Sequence, residues 1–421
     1  MIQSSNNGNP LLPYTQTQLP GGFTLVHKRV SSAPIVALDF WIHTGAIHDP
    51  EPHYGLSHFY EHMFFKGTER HGVGVMDRII TSLGGYNNAA TSLDYTHYYV
   101  ALPSAGWRAA LDVLLDSLLN PLFDPKEIER EREVITEEIK RHEDNPWSKI
   151  YDDFISASFA DNNYNRKVLG TVESLHTIDH DVFRDYQQRR YHPENITLCA
   201  VGDLDGDELQ EVLANHLEGI PFPPFKDIQI DWPIISSGNE TAVQRDVNQS
   251  YLLIGFPMTR VLGTPDEYAL DLLSTMIGEG RSSRLHRRLI DELGLVSSIS
   301  CSSWSLKHAG LFLMEAVTEE DKLEQVEQEI NAELQRIRED ITEDELRKVK
   351  NMERADYPFS NEKAVSIAQT FGYSRMAINI DHAVNYVDRM EAVTIDDVYR
   401  AYDAHLQPGR RCKGVLLPKR G

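Results

Sequence analysis

Thr177-Ile178-Asp179, followed by Asp181-Val182-Phe183-Arg184 and Tyr186, returns as Thr394-Ile395-Asp396, followed by Asp397-Val398-Tyr399-Arg400 and Tyr402, at an offset of 394 − 177 = 217. Two further pairs keep the same order. Phe123-Asp124-Pro125-Lys126-Glu127-Ile128 matches Ile341-Thr342-Glu343-Asp344-Glu345-Leu346 at 341 − 123 = 218, and Leu83-Gly84 matches Leu293-Gly294 at 293 − 83 = 210. Ordered matches at nearly the same offset mark an internal repeat. The sequence reads as one unit used twice.

The join falls in 219–240, GIPFPPFKDIQIDWPIISSGNE, whose prolines and lack of helical periodicity predict an extended linker between units 1–218 and 241–421. Alternating stretches predict strands at Phe23–Lys28 and Ile35–His43 in the first unit, and at Tyr251–Phe256 and Gly310–Val317 in the second. Amphipathic helices follow at Trp107–Leu119, Pro125–His142, Lys322–Glu339 and Thr342–Glu353. Strands grouped with runs of helices, rather than alternating strictly with them, predict an α+β fold with two tandem homologous units, each expected to be an antiparallel sheet packed against several helices.

The 421 residues are 41% hydrophobic and 25% charged, the make-up of a folded chain too long for one core. No apolar run is long enough to cross a bilayer. The first twenty residues have neither a basic start nor an apolar core, so no secretory signal is expected and a bacterial cytoplasm is the expected compartment. With 41 basic against 64 acidic residues the net charge is −23, which argues against partners held by bulk positive charge, nucleic acid and anionic membranes alike. Cys199, Cys301 and Cys412 form neither a metal spacing nor a disulfide framework, as suits a reducing compartment.

The chemistry concentrates in Gly55-Leu56-Ser57-His58-Phe59-Tyr60-Glu61-His62-Met63-Phe64-Phe65, which reads as a short, largely buried helix stopping at Gly67. His58 and His62 stand one turn apart on one face, where both imidazoles can reach one zinc ion. Glu61 falls beside the same ion, where a carboxylate can take a proton from a water that the metal acidifies. A third ligand is needed. In the helix from Ile128, the inward stripe 128, 131, 135, 138, 142 reads Ile, Glu, Ile, Glu, His. Two carboxylates on a buried stripe call for a cation, either a metal or a neighbouring Arg or Lys, which singles out Glu131 and Glu138.

His58 to His62, then Leu83-Gly84-Gly85, Asn88-Ala89-Ala90-Thr91, Thr96-His97-Tyr98-Tyr99, Glu131 and Glu138, together resemble the M16 family of zinc peptidases, the inverzincins with a His-x-x-Glu-His motif. The resemblance covers nearly the whole chain, and the separation 138 − 62 = 76 is that family's spacing to its third ligand. It implies one zinc per chain on His58, His62 and Glu138, with Glu61 as general base and Glu131 as a supporting carboxylate. It also implies that Asn88 and Ala89 hold substrate backbone on an edge strand. The two-unit length resembles the M16B subfamily, whose chains pair into a closed chamber. In the second unit, His58 and His62 fall on Tyr268 and Leu272, so the repeat is expected to be metal-free. Gly278-Glu279-Gly280-Arg281-Ser282-Ser283-Arg284-Leu285 follows a helical pattern, not a strand, and so makes a poor phosphate loop. Ile290 and Ser297 stand where many homodimeric members carry a substrate-contacting Arg and Tyr. The expectation is a zinc endopeptidase acting on unfolded peptides in a two-chain chamber, in a heterodimer with a metal-free sister chain rather than a homodimer. The alternative is a non-proteolytic scaffold subunit.

Overall fold

Two runs of strongly apolar sequence set the centres of two sheets. In a computed structural model that describes residues 8–160, 162–222, 224–228, 230 and 238–419, β3 (Ile35–Ile42) and β6 (Ile196–Gly202) are buried almost end to end, while β4 (Tyr86–Thr91) alternates exposed and half-buried residues. Continuous apolar strands belong inside a sheet covered on both faces, and alternating ones at an edge. The first sheet runs β1 (Thr15–Gln18), β2 (Thr24–Arg29), β6, β3, β5 (Thr96–Pro103), β4. The second runs β7 (Glu240–Arg245), β11 (Cys412–Pro418), β8 (Ser250–Thr259), β10 (Ala309–Thr318), β9 (Val296–Ser305). Apart from β1, the two orders are the same pattern used twice, and both units are α+β. Each sheet is antiparallel except for one parallel pair, β2 with β6 and β7 with β11.

The first repeat supplies helices α1 (Leu56–Phe64), α2 (Val75–Ser82), α3 (Trp107–Leu119), α4 (Pro125–Asp144), α5 (Pro146–Ser158), α6 (Val172–Leu175), α7 (His180–Arg190) and α8 (Gly206–Leu217). The second supplies α9 (Pro265–Gly278), α10 (Leu323–Asp340), α11 (Glu343–Ser360), α12 (Ala364–Ala377), α13 (Ile380–Val384), α14 (Tyr386–Glu391) and α15 (Ile395–His405).

The compact units depart from the contiguous halves at two places. One unit takes Lys140–Asn165 from the first repeat, and the other takes Pro358–Val384 from the second. Thus α5 packs on β7, β8 and β11, where a Cβ on Gly255 would come within 2.7 Å of Phe154. Likewise α12 packs on β3 and β6, where a Cβ on Gly372 would come within 2.1 Å of the Trp41 indole nitrogen. The glycines let helix and sheet approach closely. Counted along the chain, α12 begins 364 − 146 = 218 residues after α5, so the two exchanged helices are counterparts. The linker expected over 219–240 lies partly outside the described residues, at 223, 229 and 231–237.

Candidate metal centre

Helix α1 is anchored on its apolar sides and capped at its start. Phe64 stacks on Tyr98 and Tyr60 on Tyr191, both with ring centroids 3.9 Å apart, and Phe59 meets Phe183 edge-on at 5.0 Å. Each such buried ring contributes about 1.5–3 kcal/mol by leaving water. Asp49 satisfies the free N–H groups of the first turn: Gly55 N–H donates at 2.8 Å, Ser57 N–H at 3.0 Å and the Ser57 hydroxyl at 2.5 Å. Gly55 has φ 87°, and a Cβ there would stand 2.7 Å from the Leu169 carbonyl oxygen, so only glycine starts this helix.

The remaining face of α1 carries His58, Glu61 and His62. The two imidazole centroids are 4.7 Å apart. The Glu138 carboxylate from α4 reaches both, 3.9 Å from His58 Nε2 and 3.6 Å from His62 Nε2. One donor atom from each of the three lies within 4.8 Å of the others, and no second such group stands among the described residues. Ligands of a tetrahedral zinc at roughly 2.0–2.1 Å stand about 3.4 Å from each other. The observed separations are close to that, and the donor set of two imidazoles and one carboxylate fits zinc. Glu138 keeps 35% of its side chain exposed, so the inward stripe of α4 opens at this residue into the site.

Burial and the neighbouring His62 push the His58 imidazole down, to about 4, so it is neutral. Burial acts the same way on His62, but hydrogen bonds to Glu131 and Glu138 outweigh it and raise that ring to about 9. Glu131 Oε2 accepts from His62 Nδ1 at 3.0 Å, and Lys66 Nζ lies 2.5 Å from Glu131 Oε1. The two carboxylates of the stripe differ in what they meet: Glu131 a lysine and an imidazole, Glu138 the two imidazoles. Burial lifts the Glu61 carboxyl above its usual range, against a 2.6 Å hydrogen bond donated by Thr91. A raised pKa suits a group that must accept and return a proton.

Asn88 and Ala89 lie on β4, the terminal strand of its sheet, which pairs with β5 alone among the described residues. Alternation turns Asn88 outward and Ala89 toward the core, and the Ala89 N–H donates to Asn88 Oδ1 at 2.9 Å. Two contributors escaped the sequence reading. Thr91 shares the inward face of β4 with Ala89, and strand alternation could have flagged it. Lys66 sits just beyond α1, and nothing in its spacing points to Glu131.

In the second unit, α9 carries Tyr268 and Leu272 where α1 carries the histidines, both buried in the core. Asp271, at 61 + 210 = 271, takes the place of Glu61. Burial and the nearby Glu267 push its carboxyl up to about 8, while the Tyr386 hydroxyl donates to it at 2.8 Å. The glycine-rich stretch leaves α9 and enters a π-helix, His286–Glu292, so no strand precedes it. Ile290 of that helix packs against the core, and the Ser297 hydroxyl donates to the Val317 carbonyl at 3.3 Å. Arg284 is held by Glu333, Asp340 and Glu345.

Comparison with known proteins agrees with this architecture. Residues 24–172 match the family description "Insulinase (Peptidase family M16)", and residues 177–353 match "Peptidase M16 inactive domain". Together these matches place the chain in the M16 peptidase family. A protein of Rickettsia bellii named "Uncharacterized zinc protease" is 28% identical over 365 residues, covering 85% of this chain and 86% of its own. The "Uncharacterized zinc protease YmxG" of Bacillus subtilis is 27% identical over 379 residues, covering 90% and 92%. Among solved structures, a protease from Helicobacter pylori superposes with a TM-score of 0.88 at 22% identity, covering 96% of this chain and 99% of that one. Pitrilysin gives 0.82 at 19%, covering 97% of this chain and 45% of its own. At these identities the structures share the fold.

Proposed function

We propose that this chain is a zinc-dependent endopeptidase of the M16B type, cleaving unfolded peptides. The observation that carries the reading is Glu61, held by Thr91 beside three convergent donors and next to an exposed sheet edge. His58, His62 and Glu138 would hold one zinc. Bound there, zinc supplies Lewis acidity, polarising the scissile carbonyl and acidifying the attacking water. Glu61 takes the proton from that water and returns it to the leaving amine, and its burial keeps it basic enough to do so. Thr91 fixes the carboxylate's orientation by donating to Oε2. Strand β4, with Asn88 and Ala89, pairs with substrate backbone as an added strand, a mode that selects extended peptides and excludes folded ones.

The test is zinc content together with cleavage of an unstructured peptide. The native chain should carry about one zinc and cleave. Glu61→Gln should keep the metal and lose roughly 10²–10⁴-fold in turnover, the usual contribution of a general base. Wild-type cleavage by that variant would remove Glu61 from the role. A zinc-loaded chain inactive in every combination would favour the scaffold reading.

The reading includes a partner. Ile290 packs against the core, Ser297 is bonded to backbone, and Arg284 is committed to three carboxylates, so none is placed to clamp substrate. A metal-free sister chain in a heterodimer, enclosing a chamber, would supply that clamp. The isolated chain should cleave weakly and recover when the sister chain is added; full activity that is unchanged on dilution would count against it. Three buried, unpaired cysteines suit the cytoplasm as the place of action.

A further inference from the structure

Lys66 occupies a fixed place behind the metal centre. Its N–H closes the last turn of α1 on the Met63 carbonyl at 3.0 Å, and the chain then turns through Gly67 at φ 94°. A Cβ on Gly67 would stand 3.0 Å from His71 O and Val73 N, so the turn admits little variation. From there Lys66 Nζ reaches Glu131 Oε1 at 2.5 Å, while Glu131 Oε2 faces His62 Nδ1 at 3.0 Å. Only 9% of the Glu131 side chain is exposed, so water contributes little to holding it. A carboxylate bound through one oxygen can swivel about its bond. One bound through both cannot. Ammonium, carboxylate and imidazole therefore form a chain that aims His62 Nε2 toward Glu138, 3.6 Å away.

We propose that Lys66 is a positioning residue of the metal centre, fixing the His62 ring through Glu131; the inference rests on the zinc reading above. Outer partners of ligating histidines typically govern 10- to 100-fold in metal affinity. Simple electrostatics predicts the opposite sign, because removing a cation near a metal should tighten binding. The sign of the effect separates the two accounts.

The experiment measures zinc affinity by chelator competition, and the visible spectrum of the cobalt-substituted protein, for the full chain. Lys66→Met should weaken zinc about tenfold and alter the cobalt bands, and Lys66→Arg, which keeps a cation within reach of Glu131, should restore both. In a Glu131→Gln background Lys66→Met should cost nothing more, since the lysine acts through that carboxylate. Unchanged or tighter zinc in a folded Lys66→Met chain, or an equal loss in both backgrounds, would overturn the proposal while leaving the metal centre standing. A native chain that takes up no zinc would overturn the centre itself. Should Lys66→Met fail to fold, Lys66→Gln at this part-exposed position serves the same comparison.

Discussion

Exchanging one carboxylate oxygen of Glu138 for an amide nitrogen keeps the side chain's shape and removes its charge. If Glu138 is the third ligand, Glu138→Gln should lower zinc affinity by at least about tenfold, because a neutral ligand replaces an anionic one. The same exchange at Glu61 should leave occupancy intact. Metal analysis after dialysis against a weak chelator distinguishes them, and normal occupancy in Glu138→Gln would pass the ligand role to Glu131. His58, Glu61 and His62 were legible in the sequence because a helix of known period puts them on one face, and the stripe on α4 singled out Glu131 and Glu138 the same way. The partners of Thr91 and Lys66 were not, because each is met across a tertiary contact: β4 against α1 for the first, the end of α1 against α4 for the second. Local periodicity carries no information about such meetings.

Helices α1 and α9 occupy matching places in the repeat and were put to different uses. Helix α1 keeps a carboxyl beside three convergent donor groups, whereas α9 keeps a carboxyl among other acids. Asp271 faces Glu267 of its own helix, Glu353 of α11, Tyr386 of α14 and Ser303 of β9. Its folded pKa of about 8 exceeds the value near 3.9 of an unfolded aspartate. The folded chain therefore holds a proton that the unfolded chain has released, and this contribution to stability is full below about pH 4 and is lost as pH rises toward 8. Asp271→Asn should flatten that decline. Thermal midpoints compared near pH 5 and above pH 8 read it out, and identical profiles for both proteins would show that Asp271 is ionised throughout.

For the whole molecule, the repeat, the α+β class and the sheets packed with helices are legible in the sequence, since each rests on period and order alone. The parallel pairs were hidden: β2 and β6 are joined only across most of the first repeat. So was the fate of α5 and α12, because an amphipathic pattern announces that a helix has a face to bury without naming the sheet that will receive it. That exchange has a consequence for assembly. Residues 1–218 carry Phe154 without the Gly255 and Gly414 strands that receive it, and residues 241–421 carry Gly372 without Trp41. Produced singly, each half should be insoluble or bind hydrophobic dyes, and produced together they should yield a soluble complex. A cooperatively melting 1–218 fragment on its own would refute this. Such reciprocal trading of one element between two copies is domain swapping. Seen so, the two repeats exchange counterpart helices, and neither compact unit is complete without a helix that the other repeat encodes.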